Sequence, residues 1–162
     1  MAARSNALSE LTRFWLEARH GCLVQESIPV PVPHALSDID FLAMHPREGK
    51  ITLPDGVQIG PRFIVETKDE HDWEPFGKAF AAELLGDLAN LDERGHIPPG
   101  TKGVKCSMLR AQHAKRATDI FGTPDFDRLF VVHAIDRSTL APVAAAMTVP
   151  SHPRGHGQGA SC

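Results

Sequence analysis

Apolar residues recur at three- and four-residue spacing at the start of the chain. Ala7, Leu8, Leu11, Phe14, Trp15 and Ala18 fall on one face of a helix running from about Asn6 to His20. Ser5 or Asn6 can cap its start, and Gly21 can end it. Cys22 to Ile28 then reads as a strand. Pro29, Pro31 and Pro33 exclude a regular central strand beyond it and point to an extended edge or loop. Asp38 to Met44 is a strand in which Ile39, Phe41 and Ala43 share one face, with Asp38, Asp40 and Leu42 on the other. Lys50–Leu53 and Val57–Gly60 flank Pro54-Asp55-Gly56, a hairpin signal. Arg62 to Lys68 is a strongly apolar strand with Phe63, Ile64 and Val65 at its centre, and Glu66 and Lys68 project from one face. A second helix spans about Pro75 to Glu93, with Phe76, Phe80, Leu84, Leu88 and Leu91 as its core stripe. Gly95 and Pro98-Pro99-Gly100 end it. A third, alanine-rich and basic, lies near Ser107 to Phe121. Arg128 to Ile135 is a buried strand, and Val143 to Val149 reads as another. This order predicts an α/β sandwich around a mixed sheet.

The chain has 162 residues, 42% of them hydrophobic, enough for one domain over residues 1–150 with a real core. Residues 151–162 have almost no apolar content and read as a disordered tail. No apolar run approaches membrane-spanning length, and the N-terminus lacks the apolar core of a secretory signal, so a soluble, intracellular, cytoplasmic protein is expected. Three distant cysteines with no CxxC pair argue against a disulfide framework or a cysteine zinc site. Cys106 has Lys102 and Lys105 nearby, but without a mapped acid–base partner it reads as a buried, inert thiol. The net charge of −3 gives no reason to expect nucleic acid. Its distribution is less even, because residues 94–118 contain no Asp or Glu, but by itself that stretch reads first as a solvated helix face and loop. Lys102, Lys105, Arg110, Lys115 and Arg116 in that stretch are candidate phosphate contacts, against the alternative of a solvated helix face and loop.

The informative constellation is Asp38-Ile39-Asp40, then 25 residues, then Glu66-Thr67-Lys68. Each half sits at the polar end of an apolar strand. Side by side, those strands bring Asp40, Glu66 and Lys68 to one place. Paired carboxylates repel and resist desolvation, so they need a cation or a shared proton. Mg²⁺ suits hard oxygen ligands with waters left open, and a neighbouring lysine can orient an attacking water.

Glu66-Thr67-Lys68 with Ser37-Asp38-Ile39-Asp40-Phe41-Leu42-Ala43 resembles the PD-(D/E)xK nuclease superfamily, and archaeal Holliday-junction resolvases and Mrr-type cores within it. Those proteins carry a Glu in a helix that ends in Gly and runs into a strand; here Glu10 precedes Gly21, with Glu17 as a fallback. No Pro precedes Asp38 or Asp40. The resemblance covers about residues 5–94 and, more loosely, 128–135. It implies a restriction-endonuclease-like αβββαβ core and metal-dependent hydrolysis of DNA leaving a 5′-phosphate. Asp40, Glu66 and the Thr67 carbonyl would hold Mg²⁺ or Mn²⁺. Lys68 would position the water, and Glu10 would border the site. DNA is the implied partner, with RNA and a homodimer left open. A catalytically inactive relative, acting as a nucleic-acid-binding or protein-interaction module, is the alternative.

Blander readings stand beside these. Glu66 and Lys68 could form an ordinary ion pair on an exposed edge, though Phe63-Ile64-Val65 argues for a central strand. Asp38 reads as a turn cap, and Glu10 reads equally well as a solvated helix flank. Asp69, Glu70 and Asp72 read as loop charges. His71-Asp72 lacks the other members of a phosphohydrolase set. Gly95 to Lys102 echoes a phosphate loop but has Thr-Lys for Lys-Thr and follows a helix. His113 and His133 read as structural or surface residues. Trp15 and Trp73 read as packing anchors.

Overall fold

The computed structural model describes residues 7–32, 35–54, 56–68 and 78–132. The hydrophobic periods become a mixed four-stranded sheet with helices. Helix α1 (Ala7–Phe14) continues through a π-helical turn, Trp15–Arg19, and Gly21 follows at φ +65, the left-handed conformation that glycine tolerates. Strands β1 (Leu23–Val32) and β2 (Ala35–Met44) follow, then a short hairpin of β3 (Ile51–Thr52) and β4 (Gln58–Ile59), then β5 (Arg62–Lys68). Helices α2 (Lys78–Ala89) and α3 (Ala111–Phe121) precede β6 (Asp127–Val132). A 3₁₀ turn, Ser107–Leu109, leads into α3.

The sheet order is β1-β2-β5-β6. β1, β2 and β5 form an antiparallel meander, and β6 runs parallel to β5. β5 therefore lies between two strands, as its unbroken apolar run requires. Pro29 and Pro31 sit within β1, paired with Asp38 and Leu36. β1 has β2 as its one partner among the described strands, so prolines two apart can direct their missing donors to the unpaired side.

Two apolar clusters lie on opposite faces. On one, Ile28, Val30, Ile39, Leu42 and Ile64 pack with Leu84 of α2, Ala117 of α3, and Cys106, Met108 and Leu109 of the preceding loop and turn. On the other, Phe41, Ala43, Phe63 and Val65 pack with Leu16 and Cys22 and with Ile51 and Ile59 of the hairpin. The molecule is thus mixed α/β, layered on both sides of its sheet.

Two expectations need correction. Ile39 does not share a face with Phe41 and Ala43; it packs with Leu42 on the α2–α3 side. The β1–β2 pairing lapses at a single step, where Ser27 stands opposite Asp40, and Ser27 has φ +52. Between the Glu26–Phe41 and Ile28–Ile39 pairs both strands change face without a change of register, and the alternation breaks there. The second concerns α1. Leu11 and Phe14 of its apolar face are 66% and 68% exposed, while Thr12 and Leu16 are buried. Thr12 tolerates burial because its hydroxyl donates to the Leu8 carbonyl at 2.7 Å.

No helix among the described residues is long and apolar enough to cross a membrane. The readings placed on Val143–Val149, the 151–162 tail, His133, Phe76, Trp73 and the charged run 69–72 fall outside the described residues.

Candidate functional site

The ladder between β2 and β5 ends at Phe41 opposite Val65. One step further Asp40 would face Glu66, but there the Thr67 amide donates to the Asp40 carboxylate instead, at 2.6 Å. The Thr67 hydroxyl donates to the same oxygen, Oδ2, at 2.9 Å. Where backbone pairing stops, a cavity of about 180 Å³ opens. Asp40, Glu66 and Lys68 all line it, together with Asp38, Ser37, Ser107 and His113. The central-strand reading of Glu66 is thus correct, since Glu66 is 4% exposed.

Glu66 is engaged on all sides. Oε1 accepts from the Ser107 amide at 3.1 Å and from Lys68 Nζ at 2.8 Å. Oε2 accepts from the Met108 amide at 2.8 Å and, more weakly, from Cys106 Sγ at 3.6 Å. A second buried carboxylate, Asp87 of α2, takes the two preceding amides, Lys105 at 2.8 Å and Cys106 at 2.9 Å. Four consecutive amides, 105–108, are therefore anchored by two buried acids. Such charge-assisted bonds satisfy donors that burial would otherwise leave unpaired.

The electrostatics follow from burial. Desolvation is the largest influence on Asp40 and, despite both Thr67 bonds, leaves its carboxyl above the usual aspartate range. Burial works to lower the Lys68 ammonium, but the charge and hydrogen bond of Glu66, with Asp40 behind it, outweigh that and raise it. Cys106 is pushed well above the ordinary thiol value by burial and then by Glu66. It is an inert buried thiol, as expected.

His113 lies on the cavity wall. Its Nε2 is 3.2 Å from the Asp38 carbonyl and 3.0 Å from Ser37 Oγ. A carbonyl accepts only, so the tautomer protonated at Nε2 is the one that satisfies the Asp38 carbonyl, and Nδ1 is buried with no partner among the described residues. Burial lowers the pKa of this imidazole. In that tautomer Nε2 cannot also take a proton from Ser37, so it does not act as that hydroxyl's base. The sequence marked neither Ser37, Ser107 nor His113 as a site residue. His113 lies 73 positions after Asp40 and has no spacing relation to it.

The other expected residues lie as follows. Glu10 is exposed on α1 and does not line the cavity; its neighbour Ser9 reaches the site instead, with Oγ 3.0 Å from Thr67 Oγ1. Glu17 pairs with Arg13 at 3.1 Å. In the basic stretch, Lys102 is exposed, Lys105 pairs with Glu83 at 3.1 Å, and Lys115 pairs with Asp119 at 2.8 Å. Arg110 donates to the Thr101 carbonyl at 3.2 Å, and Arg116 is half-buried. The acid-free window in sequence is thus partly neutralised in space by acids from outside it.

Among the described residues no group of three or more His, Cys, Asp or Glu side chains is arranged to hold a metal. Both Asp40 bonds fall on Oδ2, and no bond to Oδ1 occurs among the described residues. Asp40 thus offers a hard oxygen at the cavity, and Mg²⁺ characteristically uses one or two carboxylates and keeps its waters. Asp40 is thus the one of the two carboxylates with an oxygen left open, whereas both Glu66 oxygens are taken by protein donors. Neither a scan of protein-family models nor searches of curated proteins and of solved structures give a match to this chain.

Proposed function

We propose that this protein is a metal-dependent phosphodiesterase acting on DNA, with a PD-(D/E)xK-type site formed by Asp40, Glu66 and Lys68. The observation that carries the reading is the meeting of these three side chains in one cavity, where β2 and β5 part. The element order supports it too: a helix, three antiparallel strands, helices, then a strand parallel to the third.

Asp40 and Glu66 would hold Mg²⁺ or Mn²⁺, which supplies charge stabilisation at a phosphate oxygen when bound. Lys68, raised in pKa and so charged at neutral pH, would orient the attacking water by donating to it and would face the developing negative charge. Thr67 fixes the Asp40 carboxylate, and Ser9 in turn contacts the Thr67 hydroxyl. Lys102, with Lys105 and Arg110 once their present partners are exchanged, would meet the nucleic-acid backbone.

A second reading has its own observation. Every acceptor position of Glu66 is filled by protein donors, which suits an inactive nuclease-like fold serving as a nucleic-acid-binding or protein-interaction module. Cleavage separates the two. Plasmid, single-stranded and branched DNA, and RNA, are incubated with the protein in Mg²⁺ and in Mn²⁺. Wild type is expected to cut at least one DNA substrate, and Lys68→Ala and Asp40→Ala to lose about 100-fold or more in rate. No cutting by wild type, or equal cutting by Lys68→Ala, rejects the enzyme.

A further inference from the structure

We infer that the Lys68 ammonium holds the place of the divalent cation on Glu66, and that metal binding and release of Lys68 are one exclusive switch. The inference rests on the phosphodiesterase reading above and adds a regulatory property to that site.

The argument is one of lone pairs. An ionised carboxylate has about four acceptor positions, two on each oxygen. On Glu66 all four are in use: the Ser107 amide and Lys68 on Oε1, the Met108 amide and the Cys106 thiol on Oε2. A cation that binds Glu66 must therefore replace a donor. The two amides belong to the 105–108 segment, whose other two amides Asp87 fixes. The thiol is fully buried. Lys68 is different: its side chain is 33% exposed and it reaches Oε1, at 2.8 Å, on a flexible four-carbon stem. It is the donor that can leave without disturbing the backbone.

Charge gives the same answer. With Lys68 in place, two carboxylates and one ammonium leave one negative charge uncompensated. A divalent ion added beside a retained ammonium would meet a like charge within a few ångström in a partly desolvated site. Moving Lys68 off Glu66 removes that repulsion and frees its three N–H donors for water or phosphate. By reciprocity, whatever holds Lys68 on Glu66 weakens metal binding by the same factor.

The test is a titration with Mn²⁺ alone, without nucleic acid, by calorimetry and by electron paramagnetic resonance of free Mn²⁺. Lys68→Met removes the competing cation, and Lys68→Gln keeps a neutral donor. Lys68→Met is expected to bind Mn²⁺ at least about 5-fold more tightly than wild type, with Lys68→Gln between the two. Affinity in Lys68→Met equal to or weaker than wild type overturns the switch and leaves the phosphodiesterase reading standing. Absence of Mn²⁺ binding from wild type and both variants overturns that reading and the switch together. A second measurement needs no neutral variant. In ¹⁵N-lysine-labelled protein, the Lys68 ammonium resonance, assigned with Lys68→Arg, is expected to move on adding Mg²⁺ to wild type and to stay in place in Asp40→Asn. A resonance unmoved in wild type while calorimetry records Mg²⁺ binding overturns the switch.

Discussion

Asp40 is bonded twice by Thr67, yet burial keeps its carboxyl above the ordinary aspartate range. The sign of the consequence is definite. The folded protein holds this proton more tightly than the unfolded chain, so the folded state binds more protons between the two pKa values. Stability falls as pH rises through that window, and the cost is complete above the folded value. Asp40→Asn keeps an acceptor for the Thr67 amide and removes the charge. Without metal, this variant is expected to be more stable than wild type at pH 7, with the advantage shrinking as pH falls from the raised folded value towards the usual aspartate value and gone below it. Urea denaturation in a chelator across that range checks it, and a variant less stable at pH 7 contradicts it. Asp40, Glu66 and Lys68 stood out in the sequence as charges beside the apolar runs Phe41–Met44 and Phe63–Val65, although Asp40 lies inside β2 and not at its end. The partners that settle their states were not legible there. Ser107, Met108 and His113 arrive from over 40 residues beyond Glu66, and no local pattern announces them.

Between elements, the 105–108 segment depends on two carboxylates from β5 and α2. Asp87→Ala leaves the Lys105 and Cys106 amides without their acceptor, the second of them on a fully buried residue. It is expected to cost about 2–3 kcal/mol in urea denaturation. It should also speed hydrogen exchange of the 105–108 amides relative to those of β5. Asp87 lies one turn from Leu84 and looks in sequence like a solvated helical acid. Its burial follows from the loop that folds over it. The end of α3, by contrast, could be read from local chemistry: Gly122 at φ +72 donates its amide to the Thr118 carbonyl at 2.8 Å. The β1–β2 step at Ser27 could not. A serine at φ +52 has no sequence signature, and the change of face that brings Ile39 to the α2–α3 side falls at the same step.

For the molecule as a whole, burial separates apolar residues that look alike in sequence. Leu84 of α2 is fully buried between β-sheet and loop, whereas Leu11 of α1 is 66% exposed. Leu84→Ala is expected to cost about 2–5 kcal/mol and Leu11→Ala about 0.5 kcal/mol or less. The pair is measured side by side by chemical denaturation, and equal losses contradict the layering described. Leu11, Leu8 and Trp15 instead line an open apolar groove against Leu129 and Val131 of β6.

The chain's own pattern determined the kinds of element, their order, the depth of β5 and the edge character of β1. These follow from period, from proline and from glycine, all properties of neighbours in sequence. The tertiary structure decided which apolar faces are covered, where the β2–β5 ladder stops, and which donors surround Glu66. Those depend on segments distant in sequence arriving at one place, where desolvation and competition for lone pairs, rather than local preference, set the outcome.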